Sequence, residues 1–139
     1  MDKEGIKFFD LNIVRRDEIT DKEIHFFKGT NIPMPSIFEI SNSGMCNRKC
    51  AFCPRSDPNY NHVNEFISQE LHDKIYDELQ VNDFSGSVIF SGFSEPLLDK
   101  RVYRQIKDIR SKLPKANIEL ITNGDPLNHE RVEKLFDAG

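Results

Sequence analysis

The chain has 139 residues, of which 30% are charged, with a formal net charge of -4 and a mean hydropathy of -0.56. This length allows one domain with a real core but falls well short of an eight-unit barrel. The negative net charge argues against a broad phosphate-binding face, so we expect no nucleic-acid partner. No apolar run is as long as a membrane span and no secretory signal begins the chain, so we expect no membrane association and a cytoplasmic location.

The amino-terminal part of the chain differs in pattern from the rest. Residues 1–33 show no single hydrophobic period and are interpreted as a lead-in segment, whereas residues 34–139 are predicted to form one core domain. Residues 36–41, with the sequence Ser-Ile-Phe-Glu-Ile-Ser, are rich in strand formers and lie between prolines and Gly44. They predict the first strand of the core.

Two helices and a strand are predicted next. Ser68 is placed to cap a helix that ends near Val81, with Leu71, Ile75 and Leu79 at helical spacing. Residues 87–92 form a short apolar run that ends at glycine and predict the second strand. Asp99 is placed to cap a second helix, whose apolar stripe comprises Val102, Ile106, Ile109 and Leu113.

A third strand and helix complete the pattern. Residues 117–122 predict the strand, and Asn128 is placed to cap the helix. Leu127 and Val132 have the spacing of a hydrophobic staple, with Leu135 and Phe136 continuing the apolar face.

Strand, loop and helix therefore occur three times in succession. This order predicts an α/β fold with parallel strands and right-handed crossovers. The order stops after a helix, so we interpret the chain as the front part of a larger (β/α) barrel with an exposed sheet edge.

The cysteines Cys46, Cys50 and Cys53 follow the first predicted strand, and the chain has no others. Three clustered cysteines indicate metal or redox chemistry rather than a disulfide framework. Three thiolates on a four-iron cluster leave one iron free to bind a small molecule. The alternatives are inert thiols and structural zinc with a fourth ligand such as His62, although zinc sites usually have paired Cys-x2-Cys or Cys and His spacings.

The Cys-x3-Cys-x2-Cys spacing, with Phe52 before the last cysteine, resembles the signature of the radical S-adenosylmethionine (radical SAM) enzymes. The segment Ser91-Gly-Phe-Ser-Glu-Pro-Leu-Leu98 is similar to the family's glycine and glutamate motif, although Ser94 stands where many members have glycine. The ending Thr122-Asn123-Gly124 is similar to that of the family's third strand. The Gly-Phe-Ser-Glu-Pro-Leu-Leu segment and the Thr-Asn-Gly ending resemble those of the branch that contains molybdenum-cofactor biosynthesis protein A and the SPASM-type peptide-modifying enzymes.

The resemblance implies a partial barrel of six strand and helix units, of which this chain has about three, and a [4Fe-4S] cluster held by the three cysteines. It places Phe52 near the adenine of S-adenosylmethionine and Thr122 and Asn123 within reach of cofactor or substrate. It also implies a cofactor-binding role for the turn after the second strand, which receives the methionine ammonium through Gly92, Phe93, Ser94, Glu95 and Pro96.

The implied reaction begins with an electron from a donor such as flavodoxin or ferredoxin. Reductive cleavage of S-adenosylmethionine then gives a 5'-deoxyadenosyl radical, which abstracts hydrogen from a small-molecule or peptide substrate. Arg48, Lys49 and Arg55 are candidates to offset the negative charge of the cluster. The sequence offers no candidate for a catalytic side chain. The alternatives are a noncatalytic iron-sulfur or zinc module and an inactive shortened chain.

Overall fold

The computed structural model describes residues 24–139. The chain divides into two compact units, Met1–Ser36 and Ile37–Gly139. The predicted lead-in segment lies outside the described residues as far as residue 23. Its described part contains a tight turn, in which Phe26 and Pro33 form an antiparallel bridge and the Phe27 amide donates to the Ile32 carbonyl at 3.0 Å.

The second unit contains a sheet of three parallel strands in the order β1, β2, β3. The strands are β1 (Ile37–Ile40), β2 (Ser87–Phe90) and β3 (Asn117–Leu120). All three predicted strands are confirmed, but each ends earlier than predicted. The amide of Ser91 still donates to Ile40 and that of Ile121 to Phe90, after which the backbone turns into loops.

Three helices alternate with the strands: α1 (Gln69–Val81), α2 (Val102–Lys112) and α3 (His129–Ala138). The predicted caps of α1 and α3 are confirmed, since Ser68 Oγ accepts from the Leu71 amide at 3.1 Å and Asn128 Oδ1 from the Arg131 amide at 2.9 Å. The three βα units confirm the predicted α/β partial barrel.

The prediction that Asp99 caps α2 is wrong. A 3-10 helical turn at Pro96–Leu98 occupies the start of this segment, so the α-helix begins only at Val102 and Arg101 stands at its N-cap. Asp99 instead accepts from the backbone amide and the guanidinium of Arg101.

Apolar side chains fill the space between the sheet and the helices. Val88 and Phe90 of β2 are fully buried, as are Val102 and Ile109 of the α2 stripe, which is confirmed. Burial of this apolar area provides most of the stabilisation of such a layer.

The predicted faces of α1 and α3 need correction. In α1 the buried residues are His72, Tyr76 and Leu79, whereas Leu71 is 48% exposed. In α3 the Phe136 side chain is 82% exposed, because no described element lies against that side of the helix.

Within residues 24–139, none of the helices has the length and hydrophobicity needed to cross a membrane.

Candidate cofactor site at the carboxyl edge of the sheet

Three loops leave the carboxyl ends of the parallel strands and therefore meet at one edge of the sheet. They are the cysteine loop (residues 44–56), the glycine turn (residues 91–98) and the β3 loop (residues 121–125). Direct hydrogen bonds connect them, since the Glu95 amide donates to the Met45 carbonyl at 2.7 Å and Thr122 Oγ1 donates to Glu95 Oε1 at 2.7 Å. The sheet thus brings all the predicted site residues to one edge.

The cysteine loop carries Cys46, Cys50 and Cys53 as free, partly buried thiols. The Cys53 amide donates to the Cys50 carbonyl at 2.9 Å, which closes a turn between these two residues. Cys46 Sγ accepts from the Arg48 amide at 3.5 Å and lies 4.0 Å from the side-chain nitrogen of Asn123. The contact with Asn123 connects Cys46 to the β3 loop.

A four-iron cluster and a single zinc ion place different demands on the three thiols. Within residues 24–139, no group of three or more His, Cys, Asp or Glu side chains could hold one metal ion. All ligands of a zinc ion must lie about 2.0–2.3 Å from the same centre, whereas a four-iron cluster binds each thiolate through a different iron. His62, the fourth ligand of the zinc alternative, packs its ring against Tyr60 at a centroid distance of 5.1 Å.

The glycine turn depends on Gly92, whose φ of +93° lies in the left-handed region. A Cβ at this position would lie 1.9 Å from Ser41 Oγ, so the turn packs tightly on the residue that follows β1. Ser41 Oγ also donates to the Ser91 carbonyl at 3.0 Å. Ser94, the departure from the family pattern, fits here with its hydroxyl donating to the Ser91 carbonyl at 3.4 Å.

Glu95 is 1% exposed and joins the glycine turn to the β3 loop. Its Oε1 accepts from Thr122 Oγ1 and from the Leu97 amide at 3.0 Å, and its Oε2 accepts from the Asn123 amide at 2.8 Å. In the described part of the chain, Glu95 forms no ion pair with a cationic side chain. A buried carboxylate held only by neutral donors can attract a cationic group of a bound ligand.

Thr122 and Asn123 lie at the site, but their side chains already connect its loops. The Thr122 hydroxyl binds Glu95 and accepts from the Gly124 amide at 3.1 Å. The Asn123 amide group donates to Asn47 Oδ1 at 2.8 Å. In this structure both residues therefore position the cysteine loop and the glycine turn.

The exposed aromatic residues flank the site. Phe52 is 91% exposed and Phe93 is 55% exposed, while Pro96 is buried and starts the 3-10 turn after Glu95. Phe52 therefore does not pack in the core, and its ring is available to a ligand.

Asp125 contributes a contact that sequence reasoning missed. It accepts two hydrogen bonds from the Arg48 guanidinium, one of them from Nε at 2.7 Å, and a third from Asn47 Nδ2 at 3.1 Å. The hydrogen bond from Arg48 holds the pKa of Asp125 below its usual value. Asp125 and Arg48 are 77 positions apart, so no local pattern could have paired them.

Comparisons with known proteins identify the family of the chain. The model of the Radical SAM superfamily matches residues 40–139. The S-adenosyl-L-methionine-dependent 2-deoxy-scyllo-inosamine dehydrogenase of Niallia circulans is 30% identical over 104 residues, which are 75% of this chain and 41% of that protein.

Two crystal structures show the same fold. BtrN in complex with AdoMet and 2-DOIA matches with a TM-score of 0.72 and 28% identity, over 76% of this chain and 43% of that one. Selenomethionine BtrN in an open conformation matches with a TM-score of 0.69 and 28% identity, over 76% of this chain and 47% of that one. The present chain thus spans less than half the length of these relatives.

Proposed function

We propose that the three loops of this chain, which belongs to the Radical SAM superfamily, form the cofactor-binding part of a radical SAM enzyme. The chain would hold a [4Fe-4S] cluster through Cys46, Cys50 and Cys53 and bind S-adenosylmethionine beside it. When bound, this pair would supply reductive cleavage of a carbon-sulfur bond and a 5'-deoxyadenosyl radical that removes hydrogen from the substrate.

The observation that carries this proposal is the joining of the cysteine loop, the glycine turn and the β3 loop at one edge. Glu95 connects the three loops, because its backbone amide donates to the cysteine loop and its carboxylate accepts hydrogen bonds from the β3 loop. The relative positions of the thiols and the glycine turn are thereby fixed before any ligand binds. Such preorganisation lowers the entropic cost of binding a cofactor that must contact both the cluster held by the thiols and the glycine turn.

The side chains of the site have distinct roles in this proposal. Gly92 is exposed and has no side chain, which would allow an ammonium group to approach the turn closely, and Glu95 supplies negative charge behind it. Phe52 offers an aromatic face to the adenine. An electron donor such as flavodoxin or ferredoxin would approach the exposed side of the cysteine loop.

We expect the substrate to be bound by parts of the enzyme that lie outside the matched region. The relative from Niallia circulans is named a dehydrogenase, but the chain matches only 41% of it. Hydrogen abstraction from a small molecule or a peptide is therefore the reaction that we propose, without a named substrate.

Anaerobic reconstitution with iron and sulfide tests the proposal. We expect an iron-sulfur absorbance and, after reduction, an electron paramagnetic resonance (EPR) signal that changes when S-adenosylmethionine is added. Cys50→Ala should lose the cluster, because it removes one of the three ligands, while His62→Ala should keep it. Stoichiometric zinc binding that His62→Ala abolishes would reject the proposal.

A further inference from the structure

Arg55 lies two residues after the last cysteine, within the 3-10 turn Pro54–Ser56, and is only 7% exposed. Its Nη1 donates to the Gly44 carbonyl at 2.6 Å and to the Phe93 carbonyl at 3.3 Å. Gly44 stands at the start of the cysteine loop and Phe93 in the glycine turn. A single guanidinium group therefore connects the two loops that would contact the cluster and the cofactor.

The guanidinium of Arg55 forms no ion pair within residues 24–139. Arginine stays protonated in proteins. Its other neighbour is the ring of Tyr60, whose centroid lies 5.5 Å from the guanidinium carbon. Burial of an unpaired charge is costly, so the retained charge of Arg55 calls for a compensating group.

The other basic residues of the cysteine loop are placed differently. Arg48 is 47% exposed at its side chain and paired with Asp125. Lys49 is exposed to solvent, where its charge is screened. Of the three basic residues flagged by the sequence, Arg55 alone is both buried and unpaired among the described residues.

We propose that Arg55 is a positioning residue for the cofactor site, which holds the cysteine loop and the glycine turn at a fixed separation and supplies the positive charge that favours cluster reduction. This inference rests on the proposed function. A cluster with three thiolates is negatively charged and gains a further negative charge on reduction, so a nearby buried cation stabilises the reduced form.

Three variants separate the contributions of charge and hydrogen bonding. Arg55→Gln removes the charge, Arg55→Lys keeps the charge but not the forked guanidinium, and Lys49→Gln removes an exposed charge from the same loop. Each protein is reconstituted with iron and sulfide and titrated with dithionite and mediators, with the reduced cluster followed by EPR. A second titration measures the S-adenosylmethionine concentration that half-completes the change in the signal.

At the potential that reduces half of the wild-type clusters, the ratio of reduced to oxidised cluster should be about tenfold lower in Arg55→Gln, equivalent to about 59 mV for one electron. In Arg55→Lys and Lys49→Gln this ratio should stay close to its wild-type value. Both Arg55 variants should need about tenfold more S-adenosylmethionine, because glutamine and lysine are shorter than arginine and do not place a donor at the position of Nη1, which binds both carbonyls.

The titrations distinguish a failure of this inference from a failure of the proposed function. A wild-type protein that takes up no four-iron cluster overturns the proposed function and this inference with it. A normal wild-type cluster together with an unshifted potential in Arg55→Gln overturns the inference alone, as does a lower melting temperature without any change in potential. If Arg55→Gln does not fold, a wild-type S-adenosylmethionine requirement in Arg55→Lys overturns the positioning role.

Discussion

The buried Glu95 carboxylate at the carboxyl edge of the sheet has more hydrogen-bond partners than the buried polar side chains of the helical layer. At the edge, the Glu95 carboxylate is almost fully buried and binds three donors from two segments. In the helical layer, the side-chain polar atoms of Tyr76 and Gln105 are buried without a hydrogen-bond partner among the described residues, and His72 Nδ1 has only the Asp73 carboxylate near it, at 3.6 Å.

The difference shows what each region contributes. Hydrogen bonds at the edge fix the relative positions of three loops, so a substitution there should alter cofactor binding. The helical layer gains its stability from apolar packing, in which an unsatisfied polar group is a cost. Substitutions that remove such a group should therefore be tolerated or should stabilise the fold.

The largest effect at the carboxyl edge of the sheet is expected at Gly92. In Gly92→Ala the new Cβ meets Ser41 and the residue must keep a positive φ, which together should cost about 2–4 kcal/mol of stability. Gly124→Ala is the matched control, because Gly124 has a φ of +80° but no atom lies within 4 Å of the position that its Cβ would take. Urea unfolding of both variants measures the difference, and equal losses would contradict the tight contact with Ser41.

Glu95→Gln should have the next largest effect. One carboxylate oxygen becomes an NH2 group that cannot accept a hydrogen bond, so one of the donors is left unpaired at a cost of about 1–3 kcal/mol. The variant should also weaken the response of the cluster to S-adenosylmethionine.

The control for Glu95→Gln is Glu130→Gln, which changes the net charge equally at an exposed ion pair with Lys134. In thermal unfolding, the melting temperature should fall clearly in Glu95→Gln and change little in Glu130→Gln. Similar losses in both variants would mean that net charge, rather than the buried network, determines the effect.

A pH dependence is expected in the helical layer. Burial lowers the pKa of His72 below its ordinary value of 6.5, so the unfolded chain binds more protons than the folded one between the two pKa values. The stability associated with neutral His72 is fully present above pH 6.5 and is lost as the pH falls through the lowered pKa.

Melting temperatures at about pH 5 and pH 8 measure this dependence. The wild type should melt lower at the acidic pH, and His72→Phe should reduce the difference. His129→Gln should retain it, because His129 is 89% exposed at its side chain. If the difference in melting temperature between the two pH values is unchanged in His72→Phe, groups other than His72 cause the pH dependence.

The smallest effect is expected for Tyr76→Phe. The Tyr76 hydroxyl is buried without a partner in the described residues, so its removal should change stability by about 0–1 kcal/mol, in the stabilising direction. Tyr76→Ala should instead cost about 3–5 kcal/mol, because it opens a cavity beside Phe38 and His72. A large loss in Tyr76→Phe would reveal a hydrogen bond of the hydroxyl.

Much of the fold could be predicted from the sequence because its signals are local. Strand formers, the caps Ser68 and Asn128 and the stripe of α2 each depend on residues close in the chain. The predicted cap of α2 is wrong because Pro96 starts a 3-10 turn that delays the helix. The burial of His72 instead of Leu71 depends on tertiary packing, which periodicity alone does not determine.

The candidate site was predictable in its parts but not in its connections. The cysteines and the glycine turn carry recognisable spacings, so their residues could be named in advance. The contacts of Arg55 with Phe93 and of Asp125 with Arg48 join residues that are 38 and 77 positions apart. Such pairs depend on the parallel order of the strands, which brings distant loops to one edge.

Mössbauer spectroscopy of the anaerobically reconstituted protein, enriched in iron-57, reports directly on the ligands of each iron. We expect a four-iron cluster in which one iron lacks a cysteine ligand and changes its isomer shift when S-adenosylmethionine is added. A spectrum without a four-iron centre, or one in which every iron is unaffected by S-adenosylmethionine, would contradict this expectation.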